Sequence, residues 1–256
     1  MRFLRSFAGL LAAVMFVLSA VSGVSFADGN SSATVFDPET MLEYTLLEDG
    51  AYSVQHNWDP YKDDVQIGEF TFPSEYNGKK ISTIGYLGLR GAKNLTSLII
   101  PEGITTIEHD AFVRCTSLTT VKIPASVSSI GNTVFSECPN LVSVNVDKDN
   151  KYYCSEYGAL FNKDKTELIL YPIAKKIETY TVPNTVTAIG NEAFTYHSEL
   201  VSIELPDNLV SIRRGSFGCE ALVKDRAAFS RKYPMLMVER TTLEDIMLFV
   251  GKGEEK

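Results

Sequence analysis

The chain has 256 residues, 45% of them hydrophobic, and a formal net charge of −8. It carries enough apolar material to bury a sizeable core without a cofactor or crosslink. Its acidic balance, with no basic cluster, argues against nucleic acid and anionic membranes as partners.

Residues 1–27 join a basic start (Arg2, Arg5), an apolar run from Ala8 to Ala20 and a small-x-small end at Ser25-Phe26-Ala27. This is the build of a secretory signal peptide. The run is shorter than the ~20 residues a membrane span needs, and no later stretch is long and apolar enough to cross a bilayer. Taking Arg2 and Arg5 away with the leader moves the net charge from −8 to −10. No cysteine follows the cleavage site, which argues against lipid attachment there.

Residues 28–40 are small and polar and read as a flexible leader. Residues 41–80 hold an N-terminal cap and an irregular first repeat. Glu48-Asp49-Gly50 between runs of leucine, tyrosine and valine predicts a β-hairpin, placed to cover the first rung of a stack. Residues 81–146 repeat with a period of 23: Leu95, Leu98 and Ile100 fall on Leu118, Val121 and Ile123, and these on Leu141, Val144 and Val146. Pro101 falls on Pro124, Ile107 on Ile130, Phe112 on Phe135 and Cys115 on Cys138. An L-x-x-L-x-L core at that period marks a leucine-rich repeat solenoid. The expected architecture has short parallel strands on the concave face, loops and 3₁₀ turns on the return side, an N-terminal hairpin cap and a C-terminal helix/strand cap.

The period breaks over residues 147–176, an island in which Gly158 to Phe161 and Glu167 to Tyr171 flank a polar turn and read as a hairpin. Residues 177–222 resume the repeat, with Pro183 and Pro206 again 23 apart. In residues 223–256, Asp225 to Lys232 suits a short helix, Met235 to Val238 a strand, and Leu243, Ile246, Met247 and Val250 one face of a last helix behind a Thr241/Glu244 capping box.

Chemistry is sparse. Cys115 and Cys138 hold one repeat slot, filled by Ala92 and His197 elsewhere, and are read as buried thiols or as a bridge between neighbouring rungs. Cys154 and Cys219 cannot be paired from sequence. His56, His109 and His197 are scattered, and no phosphate-cradling glycine loop, metal-spaced histidine pair or nucleophile elbow occurs. Asp147, Asp149 and Asn150 lack the glycine and distal glutamate of an EF-hand. No enzyme, metal or cofactor is expected.

The phrases IPEGITTIEHDAFVRCTSLTTVKIP, IPASVSSIGNTVFSECPNLVSV and VPNTVTAIGNEAF resemble the BspA-type, or Treponema pallidum-type, leucine-rich repeat. The island YGALFNKDKTELILYP resembles the interruption typical of that family, and the likeness spans roughly Met41 to Val238. It implies a right-handed solenoid, secreted or on the surface of host-associated bacteria, with adhesion and host-protein binding known for some members.

Stacking at the 23-residue period puts the outward strand positions in two columns. One holds Ser97, Thr120, Ser143, Thr179 and Ser202; the other holds Ile99, Lys122, Asn145, Thr181 and Glu204. Aromatic residues in loop-like surroundings (Tyr152, Tyr153, Tyr157, Phe161, Trp58 and Tyr61) are the other candidates for contact. The expected function is an exported protein-binding or adhesion module with a protein or other macromolecular ligand. The alternative is a structural component of a cell-envelope assembly.

Overall fold

The computed structural model describes residues 24–25, 34–57, 67–86, 88–196, 202–217 and 237–238. Every regular element among them is a β-strand. The chain begins with an antiparallel meander of β1 (Val24–Ser25), β2 (Thr34–Asp37), β3 (Leu42–Leu46) and β4 (Tyr52–His56). The β3–β4 turn forms where Gly50 takes φ 83° and the Asp49 carboxylate accepts a hydrogen bond from the Ala51 amide at 3.0 Å. Glycine suits that left-handed position because it has no Cβ to clash.

Next come β5 (Glu69–Thr71), β6 (Glu75–Tyr76) and β7 (Lys79–Ile84). An Asn77-Gly78 turn, with φ 49° and 69°, folds β6 back on β7 and brings Tyr76 flat against Tyr44, ring centroids 3.8 Å apart. β7 pairs in parallel with β4, so the opening hairpin runs straight into the stack.

The repeats supply two ladders. β8 (Ser97–Ile99), β10 (Thr120–Ile123) and β12 (Ser143–Val146) extend β5 in parallel; β9 (Thr106–Ile107) and β11 (Ser129–Ile130) extend β7. Rungs are joined by bonds one period long: the amides of Thr105, Thr119 and Ser128 donate to the carbonyls of Ser82, Thr96 and Thr105. A third row runs the opposite way, with Leu89 N–H donating to Ala111 and Phe112 N–H to Val134. It follows corners whose residues sit at positive φ at matching places, Asp110 with Thr133 and Arg114 with Glu137.

The return path was expected to be loops with 3₁₀ turns. It contains the two-residue strands β9 and β11 followed by single i+3→i bonds such as Val113 to Asp110 and Ser136 to Thr133, with no 3₁₀ helix among the described residues. The reason is competition: the intervening amides of Phe112 and Arg114 donate to the next rung, so the local pattern never runs on.

Asn150 starts the island. It occupies the place 23 residues after Val127 and is fully buried, but its side chain is saturated. Its amide donates to the carbonyls of Pro124 and Val127 at 2.8 and 2.9 Å, and its oxygen accepts from the amides of Tyr152 and Tyr153 at 2.9 and 2.8 Å. These bonds turn the chain into β13 (Tyr153–Glu156), β14 (Ala159–Asn162) and β15 (Glu167–Leu170), an antiparallel meander. β14 is a partition: Leu160 joins the core of the first repeats, Ala159 and Phe161 that of the later ones.

β15 begins a new parallel ladder with β17 (Ala188–Ile189), β19 (Ser211–Ile212) and β20 (Met237–Val238), while β16 (Thr179–Thr181) pairs with β18 (Ser202–Glu204). The inward file therefore runs Phe70, Leu98, Val121, Val144 and restarts as Tyr180, Ile203, rather than passing unbroken from Leu98 to Ile203. The two expected C-terminal helices, with Cys219, His197, Trp58 and Tyr61, lie outside the described residues.

Asn150→Ala removes four hydrogen bonds at once and strands two buried carbonyls. It should destabilise the protein by roughly 2–5 kcal/mol, read as a drop in the urea midpoint. Buried His56 gives a second expectation, because burial lowers its pKa from 6.5 to about 4, with a backbone hydrogen bond at Arg90 opposing and the Arg90 charge adding to the fall. The folded value lies below the unfolded one, so its contribution is intact above about pH 6.5 and is lost as pH falls toward 4. That contribution is at most about 3 kcal/mol, and His56→Phe should flatten the stability profile between pH 7 and 5 relative to wild type.

Candidate binding surface

Parallel register, not chance proximity, places the outward side chains. Thr120 lies between Ser97 and Ser143, and Lys122 between Ile99 and Asn145. The same pairing adds Glu69 and Thr71 at the head of the two columns. Sequence spacing missed them because the hairpin turn lengthens that rung: the Thr96 hydroxyl donates to Gly68, 28 residues earlier, not 23. Lys122, Asn145, Glu69 and Thr71 are exposed, and Ser97, Ile99, Thr120 and Ser143 are half-buried. Thr120 and Ser97 hydroxyls lie 3.5 Å apart, and the Asn145 amide donates to Ser143 at 3.2 Å.

Thr179 with Ser202 and Thr181 with Glu204 form a separate patch on β16 and β18, where the Thr181 hydroxyl donates to the Glu204 carboxylate at 2.8 Å. The ten positions thus fall in two groups. The island closes the outer edge of β12, with Val144 N–H donating to the Gly158 carbonyl at 2.9 Å. Gly158 has φ 81°, and a Cβ there would stand 2.9 Å from Ser143 Cβ, so both conformation and closeness require glycine.

The island tyrosines part company. Tyr157, in the turn beside β12, is 88% exposed, and Tyr152 53%. Tyr153 points inward: its hydroxyl accepts the Ile130 amide at 2.9 Å, and burial pushes its pKa up. Phe161 is fully buried. On the other ladder, a cleft of about 290 Å³ separates β11 from β15 and β17. Its walls include Ile130, Phe135, Leu160 and Ile169, and its charged groups are a Glu167–Arg213 pair at 3.3 Å and Glu192, whose carboxylate meets the Ser136 hydroxyl.

Six copies of the BspA-type leucine-rich repeat region match residues 62–166 and 171–225, well over half of the chain. The chain belongs to this family. Three solved structures are similar in fold. The T. pallidum leucine-rich repeat protein is 19% identical, with 86% of this chain and 98% of that one covered and a TM-score of 0.49. A leucine-rich repeat protein from Eubacterium ventriosum is 20% identical, covering 73% of this chain, at TM-score 0.47. The pneumococcal vaccine antigen PcpA is 17% identical over 76% of this chain and 70% of its own, also at 0.47. The chain spans 63% of the length of the Eubacterium ventriosum protein. No curated protein matches.

BspA-type repeats are generally scaffolds, and the cysteines of this one are built into the stack. Cys115 Sγ donates to the Leu89 carbonyl at 3.1 Å and Cys138 Sγ to Phe112 at 3.2 Å, the same contact one rung on; both thiols are free and buried. Burial, with Cys138 beside it, pushes the Cys115 pKa well up. A thiol held protonated is a poor nucleophile. Cys154 is also free, with its pKa raised by burial. Among the described residues no group of three or more His, Cys, Asp and Glu side chains is placed to hold a metal. No helix among them is long and apolar enough to cross a membrane.

Tyr153→Phe should leave the Ile130 amide without its acceptor at the end of the ladder and cost about 1 kcal/mol. Urea unfolding against wild type measures it, and native Tyr152 and Tyr157 exposure should be unchanged.

Proposed function

We propose that this chain is an exported module that binds another protein through the β5–β8–β10–β12 columns and the island turn beside them. Leucine-rich repeat domains generally mediate protein interactions, and BspA-type proteins are typically secreted or on the cell surface. The observation that carries the reading is Tyr157: a tyrosine left 88% exposed on a turn fixed against Ser143, at the edge of a polar sheet face. Aromatic anchors beside a hydroxyl-rich surface are what protein hot spots are made of. The columns are nearly neutral, with Lys122 and Glu69 both exposed, so contact there rests on shape and hydrogen bonds more than on long-range charge. Export rests on the 1–27 leader. Cleavage after Ala27 removes β1 and leaves β2 as the edge of the opening meander.

Purified protein should bind one or more members of a panel of host extracellular-matrix proteins in surface plasmon resonance. Tyr157→Asn, chosen because asparagine accepts the φ of 48° there, and Lys122→Glu should each weaken that binding by roughly 10-fold or more. Binding that both variants leave unchanged contradicts the assignment of this face.

A further inference from the structure

The island does more than interrupt the sheet, because it leaves one rung's donors facing a cleft. In the third row each rung gives alternate amides to the next: Asp110, Phe112 and Arg114 donate to Asn132, Val134 and Ser136 at 3.0 to 3.2 Å. The pattern returns at the end of the island, with Tyr171 donating to Ala193 at 2.9 Å, and continues with Glu192 to Arg214 at 3.1 Å and Phe194 to Ser216 at 2.8 Å. In the rung just before the island, the equivalent donors are Thr133, Phe135 and Glu137, and among the described residues none of these amides meets a carbonyl. Thr133 and Phe135 line the 290 Å³ cleft, whose far wall is Ile169, Leu170 and residues 190–192, and Glu137 lies outside it. Where backbone meets backbone elsewhere, two side chains, Ser136 and Glu192, reach across. On this side the row of inter-rung bonds is interrupted at the cleft and resumes at Tyr171.

We propose that this cleft is a binding site for an extended peptide segment of a partner protein, laid between the two ladders as a surrogate rung. Its carbonyls at positions i and i+2 accept from Thr133 and Phe135, since those amides have the alternate-residue spacing by which this chain joins its own rungs. Such strand addition draws affinity from backbone bonds and specificity from side-chain pockets. One apolar side chain of the peptide enters beside Phe135, Leu160 and Ile169, the apolar part of the lining. The lining's charged groups are Glu167, Glu192 and Arg213, with Glu167 paired to Arg213. Glu192, met by the Ser136 hydroxyl and not by a cation of the lining, favours a segment that is basic at its end. This site is on the opposite ladder from the columns and does not depend on them.

The test uses the whole protein and an end-capped peptide, Gly-Asn-Thr-Val-Phe-Ser-Lys, which copies residues 131–136 of this chain and adds a lysine. Calorimetry should give saturable binding with Kd below about 1 mM, and the Thr133 and Phe135 amides should be among the largest ¹H–¹⁵N shift changes. Ile169→Trp, which fills the cleft, and Glu192→Arg, which reverses the rim charge, should each weaken binding at least about tenfold, while Tyr157→Asn leaves it unchanged. No saturable binding, or shifts confined to the strand columns, overturns the proposal. So does unchanged affinity in a folded cleft variant, and the wild-type shift map decides alone if a variant does not fold. Loss of matrix-protein binding in Tyr157→Asn with peptide binding intact separates this site from the proposed sheet surface.

Discussion

Everything in this molecule depends on hydrogen bonds made from one rung to the next. A strand of two to four residues cannot bury its own apolar side chains or satisfy its own backbone, so each rung is stable because its neighbours cover it. The three rows of inter-rung bonds fix the spacing. That spacing stacks Leu98 on Val121 on Val144 and Phe112 on Phe135, and it sets outward side chains in columns as a by-product. The surface is a consequence of how the core is closed.

The island shows what happens when that rule is suspended. Asn150 substitutes four directed polar bonds for the apolar contact that Val127 and Ile104 make at the same place in their rungs. It then sends the chain into a meander that does two jobs. On one ladder the Gly158 turn seals the edge of β12. On the other, Tyr153 reaches the Ile130 amide with a hydroxyl where a strand would offer a carbonyl, and a cleft remains. β14, with Leu160 facing one core and Phe161 the other, keeps the two halves joined through apolar contact. Ala174 N–H donating to the Leu141 carbonyl at 2.9 Å adds a backbone link between them.

Much of this was readable from residues. The 23-residue match gave the parallel register, and with it the placing of Ser97 beside Thr120 and Lys122 beside Asn145. The shared slot of Cys115 and Cys138 followed from the same spacing, and the strand at Glu167–Leu170 from the polar turn before it. Other features left no such trace. Asp110 and Arg114 take left-handed conformations where their amides donate to the next rung, and Thr133 and Glu137 do so one rung on, where Thr133 meets the Asp110 carboxylate and Glu137 pairs with Arg114; spacing alone does not pick them out. In the sequence Asn150 figured only beside Asp147 and Asp149, as a candidate calcium-loop residue, since saturation of its side chain depends on carbonyls 23 and 26 residues away. Tyr153 looked exposed for the same reason. The Asn77-Gly78 turn lengthens its rung, so that Thr96 meets Gly68, 28 residues back, and the 23-residue spacing therefore did not reach Glu69 and Thr71.

The most direct test of mutual dependence between rungs is native-state hydrogen exchange across the whole chain. The account predicts that the amides of Phe112, Thr119 and Ser128, which bond between rungs, exchange through one common opening, while Thr133 and Phe135 at the interruption exchange far faster. Unrelated opening energies for those three inter-rung amides, or protection of Thr133 and Phe135 equal to that of Phe112, would contradict it.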